Sequence, residues 1–252
     1  MHSLRWRLRA STIHLAISLL VATLAALLVF GLLYTFPYRE LSGGRELFLW
    51  VVLVDVVLGP LITLVIFDRT KTPRHLLMDF TVVGLLQLAA LSYGIWAVFT
   101  ARPIHLVFEY HRMAVVHAVD VDLATLTQAP AELQSSPLTG PTLLSLRSFK
   151  SANESYNSTI LALAGIPQAA QPALWQSYEI ARGDILKESK SVTELKERFP
   201  AQSHIIEHAI NLTGRHPDTL RSLPLIARKT AWTVLIDAET ALPVGFVPID
   251  SF

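Results

Sequence analysis

Three long apolar stretches in the first hundred residues constrain the fold of this chain more than any other feature. They run from Ile13 to Tyr34, from Leu47 to Phe67 and from Phe80 to Thr100. A helix needs about 20 predominantly apolar residues to cross the hydrocarbon core of a bilayer. Each stretch has that length, so we predict three transmembrane helices packed as a bundle.

The first apolar stretch resembles the start of a cleaved signal peptide, because Arg5, Arg7 and Arg9 precede it. However, its apolar run is longer than that of a typical signal peptide. Its exit through Tyr34-Thr35-Phe36-Pro37 also lacks the small residues of a cleavage site. We therefore predict a retained membrane anchor.

The distribution of lysine and arginine predicts the orientation of the spans. Three arginines precede the first span, and Arg69, Lys71 and Arg74 follow the second, whereas the connection between these spans has two arginines, each beside a glutamate. Positively charged loops stay in the cytoplasm. We therefore expect a cytoplasmic N-terminus and a soluble domain at residues 102–252 on the opposite side of the membrane.

Composition divides the chain into a membrane domain, residues 1–101, and a soluble domain, residues 102–252. The whole chain is 52% hydrophobic and only 16% charged, and most of the charged residues lie in the second part. Its net charge of +1 gives no reason to expect nucleic acid, which requires a basic surface. Because cysteine is absent, disulfides, thiolate metal sites and cysteine nucleophiles are excluded.

An acidic residue, Asp55, lies inside the second apolar stretch. An aspartate in mid-membrane costs roughly 3 kcal/mol on the insertion scale, which the surrounding Leu, Ile, Val and Phe residues offset. Asp55, Gly59 and Thr63 recur every four residues and therefore share one helix face. This face of one acid, one glycine and one hydroxyl is predicted to point into the bundle, with Pro60 kinking the helix beside it.

The third span supplies a polar partner for this acid. Gly84, Gln87, Ala90 and Gly94 form a line of small and polar residues, and Gln87 is a plausible hydrogen-bonding partner of Asp55. Two interpretations remain open for Asp55. It receives a partner's transmembrane segment or a proton, as intramembrane acids often do, or it is a strut within the bundle. A proton relay would need several acids, so docking is favoured over transport.

The soluble part shows the pattern of an α+β domain with an antiparallel sheet. Strands at residues 104–109 and 113–119 flank a turn, and two further strands, 230–237 and 243–248, form a second hairpin. Residues 129–141 read as a loop. Strands at both ends with helices between them are typical of this fold class.

Helices are predicted between the two hairpins. They fall at residues 153–164, at 173–180, after a capping box that begins at Ser191, and at 201–212 before Gly214.

The sequence His204-Ile205-Ile206-Glu207-His208 matches the inverted zinc-peptidase pattern on a predicted helix. A membrane-anchored zinc peptidase using His204, Glu207 and His208 is therefore the enzyme alternative. The pattern is short and no third ligand is identifiable, so we expect no metal and no other cofactor. His105, His111 and His117 are interpreted as scattered surface histidines.

Arg102, Glu109 and Arg112 form a charged cluster close to the end of the third span. We expect a solvated surface next to the membrane, and the alternative is a surface for a partner protein. A receptor is a further alternative, but the predicted cytoplasmic parts are too short to fold into an output domain. A receptor would need a separate signalling partner.

Four stretches together resemble the TfpX/TfpZ family of type IV pilin accessory proteins. They are Leu41–Gly44, Val54–Thr63, Gln87–Gly94, and Ala101–Glu109 with Arg112. The resemblance covers residues 12–116 and continues more weakly to the terminal hairpin. It implies a non-enzymatic inner-membrane protein that helps a cognate type IV pilin assemble, in contact with membrane lipid and other pilus assembly proteins.

The resemblance identifies no binding residues, so Asp55, Gly59, Pro60, Thr63 and Gln87 remain candidates from the sequence itself. Proteins of the pilin class have a single membrane helix and an outer globular part. Our hypothesis is that the Asp55–Gly59–Thr63 face receives this helix while the soluble domain contacts the outer part.

Overall fold

The chain forms two compact units in a computed structural model that describes residues 2–67 and 72–252. The first unit contains the residues up to Arg39 together with Gly43–Ala101. The second contains Glu40–Ser42 and Arg102–Phe252. Two of the basic residues that predict the orientation, Arg69 and Lys71, lie outside the described residues.

The first unit consists of helices. Three of its helical stretches are long and apolar enough to cross a membrane, as predicted: Leu4–Leu33, Gly44–Ile66 and Pro73–Thr100. The elements are α1 (His2–Leu28), a π-helical turn (Val29–Leu33), α2 (Tyr38–Leu41), α3 (Gly44–Val52), a second π-helical turn (Leu53–Leu58), α4 (Gly59–Ile66) and α5 (Pro73–Thr100).

Helices α1 and α5 begin well before the apolar stretches that predicted them. Helix α1 extends back through the basic segment because arginine and leucine are strong helix formers whatever the polarity of the run. Helix α5 begins at Pro73, where the missing N–H costs no hydrogen bond and the fixed φ suits a first helical residue. Hydropathy therefore locates the span but not the helix end.

The end of the first span, beyond α1, packs against α3 and α5 through a small aromatic cluster. The rings of Phe30 and Phe48 meet edge to face at 5.1 Å. The Tyr34 hydroxyl donates to the backbone oxygen of Val98 at 3.1 Å, and the Tyr34 side chain is fully buried. Gly44 lies directly against the Tyr34 ring, so that any side chain there would overlap it.

The second unit is an α+β domain with one sheet of eight strands. The strands are β1 (Pro103–Glu109), β2 (Arg112–His117), β3 (Thr142–Leu146), β4 (Trp175–Ser177), β5 (Lys190–Ser191), β6 (Leu220–Ile226), β7 (Ala231–Asp237) and β8 (Pro243–Val247). They run in the order β4-β3-β1-β2-β6-β7-β8, and β5 pairs with β6. Four helices accompany the sheet: α6 (Ala152–Leu163), α7 (Arg182–Glu188), α8 (Val192–Arg198) and α9 (Ser203–Thr213).

The predicted fold class is confirmed, but the sheet is mixed rather than purely antiparallel. Both predicted hairpins, β1–β2 and β7–β8, are antiparallel. Strands β1 and β3 are parallel, as are β2 and β6. Parallel neighbours need a long crossover connection, and the connections before β3 and β6 carry no periodic signal of which strand they will join.

One predicted helix, at residues 173–180, is wrong. That stretch contains strand β4 between two short 3₁₀ turns, and β4 pairs with β3. Trp175 decides the conformation, because its side chain is buried in the core and its indole N–H donates to the Ala169 oxygen at 2.8 Å. Tertiary packing here overrides the local helical pattern.

Strand β6 is not among the predicted strands, and Pro224 lies inside it. A proline cannot donate to a sheet ladder and normally argues against a central strand. Here Ser222 pairs with β5 and Leu225 pairs with β2, so Pro224 falls at the break between two different neighbours on that edge. The missing N–H is tolerated at such a break.

Candidate functional site in the membrane helices

Asp55 lies in the π-helical turn that joins α3 to α4. A π turn inserts an extra residue into the helix and often occurs at functional positions. Pro60, just beyond the turn, cannot supply the N–H that an α-helix would need there. The Ser11 hydroxyl of α1 donates to the Pro60 backbone oxygen at 2.8 Å, which ties the first span to this irregular segment.

The side-chain amide of Gln87 on α5 donates hydrogen bonds to Asp55. Its Nε2 lies 3.2 Å from Asp55 Oδ1 and 3.3 Å from the Asp55 backbone oxygen. This is the partner that the spacing in the sequence indicated.

His14 of α1 completes a polar network across all three spans. Its Nε2 lies 2.8 Å from Gln87 Oε1, and its Nδ1 lies 2.5 Å from Thr63 Oγ1. If Nε2 carries the proton, it donates to Gln87 while Nδ1 accepts from the Thr63 hydroxyl, so a neutral imidazole satisfies both contacts. His14, Thr63, Gln87 and Asp55 thus form a continuous hydrogen-bonded chain.

His14 was not among the residues predicted to form the site, although one signal was present. His14 is the single imidazole within an otherwise apolar run, and a polar side chain at that depth needs a partner. Its partners lie 49 and 73 residues away, so no local spacing could identify them.

Gly59 and Thr63 are enclosed by this network. A side chain at Gly59 would overlap the Gln87 amide and approach the His14 ring, and Thr63 is 2% exposed. The part of the Asp55–Gly59–Thr63 face that contains Gly59 and Thr63 is therefore filled by side chains of the bundle itself. It leaves no room for a partner helix.

A groove with a volume of about 400 Å³ opens beside Asp55, between the second and third spans. Asp55 is its acidic residue, and the walls are apolar. The exposed rings of Trp50 and Tyr93 lie at its rim. The remaining lining residues are Leu47, Val51, Val54, Ala90, Leu91, Gly94, Ala97 and Val98.

Comparison with known proteins places this architecture in a family. A family described as Fimbrial assembly protein FimB matches residues 2–43. The "Fimbrial assembly protein, serogroup I" of Dichelobacter nodosus is 32% identical over 246 residues, which cover 97% of this chain and 95% of that protein. This chain belongs to the fimbrial assembly protein family. The resemblance to type IV pilin accessory proteins is thereby confirmed.

Two further fimbrial assembly proteins of the same organism are similar. The protein of serogroup E1 is 30% identical over 97% of this chain and 95% of its own length. The protein of serogroups C1 and C2 is 36% identical over 48% of this chain and 92% of its own length. No solved structure matches the chain. The first two matches extend through both units of this fimbrial assembly family member.

The charged cluster of Arg102, Glu109 and Arg112 is not the solvated surface that we expected. Arg102 is 6% exposed and donates to the Pro137 backbone oxygen at 3.1 Å. Glu109 is 5% exposed and pairs with Arg112 at 2.7 Å. Arg102 precedes strand β1 and Glu109 ends it, so the strand separates them by roughly 20 Å.

Two of the three histidines near the first hairpin are buried, so the prediction of surface histidines is wrong for His105 and His117. The His105 ring meets Trp175 edge to face at 4.7 Å, and its Nδ1 lies 2.7 Å from the Thr142 hydroxyl. Burial lowers the pKa of His105 to about 4. His111 alone is exposed.

His117 belongs to a charged group with Asp120 and Arg228. The His117 ring donates to Asp120 Oδ2 at 3.0 Å, and Arg228 pairs with Asp120 Oδ1 at 2.6 Å. Burial raises the pKa of Asp120, but the hydrogen bonds from His117 and the charge of Arg228 outweigh it and leave that pKa lowered. Both side chains that face Asp120 therefore favour its ionised form.

His204, Glu207 and His208 lie on α9, in the region where a helix was predicted, and all three are exposed. Glu207 pairs with Lys196 at 3.0 Å. Within residues 2–67 and 72–252, no group of three or more His, Cys, Asp or Glu side chains is arranged to hold a metal ion.

Proposed function

We propose that this protein is a non-enzymatic assembly factor of the bacterial inner membrane that binds a cognate type IV pilin and promotes its assembly into pili. The observation that carries the proposal is the match of 97% of the chain to a fimbrial assembly protein. Because the match covers the spans and the outer domain, both belong to the proposed activity.

The proposed orientation puts the N-terminus in the cytoplasm and the α+β domain in the periplasm. It follows from the excess of arginine and lysine before the first span and after the second. An outer domain attached to three spans could contact both the membrane helix and the outer globular part of a pilin that has not yet assembled. That arrangement suits an assembly factor better than an enzyme with a soluble substrate.

The surroundings of the His204-Ile205-Ile206-Glu207-His208 sequence do not favour the zinc peptidase. His204 and His208 are exposed, and the Glu207 carboxylate that would act beside them pairs with Lys196. The metal content of the purified full-length protein tests this alternative directly. Zinc bound one to one, and lost on substitution of His204 and His208 together, would favour the peptidase over the assembly factor.

Surface pilin tests the proposed function. We expect deletion of the gene to lower the amount of pilin sheared from the cell surface while total cellular pilin stays comparable, and complementation to restore it. An unchanged ratio of sheared to total pilin in the deletion strain would contradict the proposal. A fall in total pilin would move the proposed role from assembly to protection of the pilin from degradation.

A further inference from the structure

The groove between the second and third spans has a floor that is chemically unlike its walls. The floor is Asp55, which is only 9% exposed and yet lines the groove. The walls are aliphatic and aromatic side chains. Sites that bind a ligand or a partner commonly combine apolar walls with one or a few placed polar groups.

Within the described part of the chain, hydrogen bonds reach only one oxygen of the Asp55 carboxyl group. Gln87 donates to Oδ1, and among residues 2–67 and 72–252 no hydrogen bond reaches Oδ2. A polar atom left unsatisfied in an apolar environment is costly, by about 1–3 kcal/mol. An occupant of the groove that donates a hydrogen bond to Oδ2 would remove that cost.

The wall formed by α5 suits the close approach of another helix. Ala90, Gly94 and Ala97 are the small residues on this wall. Gly94 already packs against Val51, while Ala90 is exposed. Small residues let helix backbones approach within a membrane, where van der Waals packing and interhelical hydrogen bonds drive association.

We propose that this groove, lined by Trp50, Asp55, Ala90, Tyr93 and Ala97, receives the transmembrane helix of the pilin, and that this helix donates a hydrogen bond to Asp55 Oδ2. The inference rests on the proposed function and specifies its membrane contact. A lipid acyl chain also fits the apolar walls, but it has no donor for the carboxylate. The proposed docking surface is therefore the groove between Asp55 and the α3 end of the second span. It does not include Gly59 and Thr63, which are enclosed by side chains of the bundle.

Crosslinking in cells tests the groove. A photoreactive amino acid replaces Tyr93 at the rim or, as the control, Leu88, which is exposed on the same helix but about 140° around its axis. The chain is full length, expressed in its own host with the cognate pilin. We expect a crosslink to pilin from position 93 and little or none from position 88.

Two further variants tie the crosslink to the geometry of the site. Ala90→Trp fills the groove, whereas Ala89→Trp places the same side chain on a neighbouring position that does not line it. Asp55→Asn keeps the shape of the side chain but replaces one carboxylate oxygen, which accepts a hydrogen bond, with an amide NH₂ group, which cannot accept one from the pilin helix. We expect Ala90→Trp and Asp55→Asn to weaken the crosslink about fivefold, the scale of one interhelical hydrogen bond, and Ala89→Trp to leave it unchanged.

Each remaining outcome contradicts a defined part of the account. Equal crosslinks from positions 93 and 88, or a crosslink that survives both Ala90→Trp and Asp55→Asn, overturns the groove. Crosslinks to lipid alone from position 93 also overturn it, while the proposed function still stands if deletion lowers surface pilin. Unchanged surface pilin in the deletion strain contradicts the proposed function itself.

Discussion

At the scale of single residues, the polar network depends on a glycine. Gly59 has no side chain where the amide of Gln87 passes, so Gln87 can reach both His14 and Asp55. Glycine inside a helix is otherwise unfavourable by up to about 1 kcal/mol relative to alanine. Its presence here is explained by the close approach of the Gln87 side chain.

Substitution of this glycine should therefore destabilise the membrane helices. We expect Gly59→Ala to lower the stability of the bundle by about 1–3 kcal/mol, because the new methyl group displaces Gln87 from its hydrogen bonds. Gly84→Ala is the matched control, since nothing lies within 4 Å of a Cβ at that position. Thermal unfolding of both variants in detergent measures the difference. Equal midpoints for the two variants would show that Gln87 moves aside without cost.

His105 gives the α+β domain a pH dependence of known sign. Its pKa falls from an ordinary 6.5 to about 4 on folding because the ring is buried. The unfolded chain then binds a proton between these values that the folded chain does not. Stability is therefore full above about pH 6.5 and decreases as the pH falls towards 4, by about 3 kcal/mol in total.

The pH dependence of unfolding checks this assignment. We expect the unfolding midpoint of the full-length protein to decrease between pH 6.5 and 4, and His105→Gln to flatten that decrease. His111→Gln should leave it intact, because His111 is exposed. A decrease that is unchanged in the His105 variant would assign it to other groups, such as Asp120 with its partners.

At the scale of elements, the sequence predicted the helices whose ends are marked by a capping residue or a glycine. The Ser191 hydroxyl accepts from the Glu194 N–H at the start of α8, as the capping box predicted. Gly214 ends α9 in the left-handed conformation, with φ of 66°. Both motifs act within a few residues, so the sequence contains all the information that they need.

Elements that depend on distant partners could not be predicted in this way. Strand β4 exists because Trp175 is buried and β3 lies beside it. For helix α6, the helix itself was predicted but the burial of its side chains was not. Its pattern predicted the helix, but Ser158 is its buried residue while Tyr156, Ile160 and Leu163 remain exposed. Periodicity identifies an apolar face and does not say whether anything in the chain covers it.

At the scale of the whole molecule, composition alone predicted the division into three apolar helices and an α+β domain. The insertion energy of apolar helices is additive along the sequence, so a count of residues suffices. Only part of the candidate site could be predicted from the sequence. The spacing of Asp55, Gly59 and Thr63 gave the inward face and Gln87 as a partner, but the position of the groove depends on how three helices pack.

The central claim is that the membrane helices act in pilus assembly through the groove beside Asp55. The most direct test compares Ala90→Trp with Ala89→Trp in the deletion strain and measures the ratio of sheared to total pilin. We predict that Ala89→Trp restores the wild-type ratio and that Ala90→Trp, at equal protein level, leaves the ratio close to that of the deletion. Full restoration by Ala90→Trp would contradict the claim, because a filled groove would then support assembly as well as an open one.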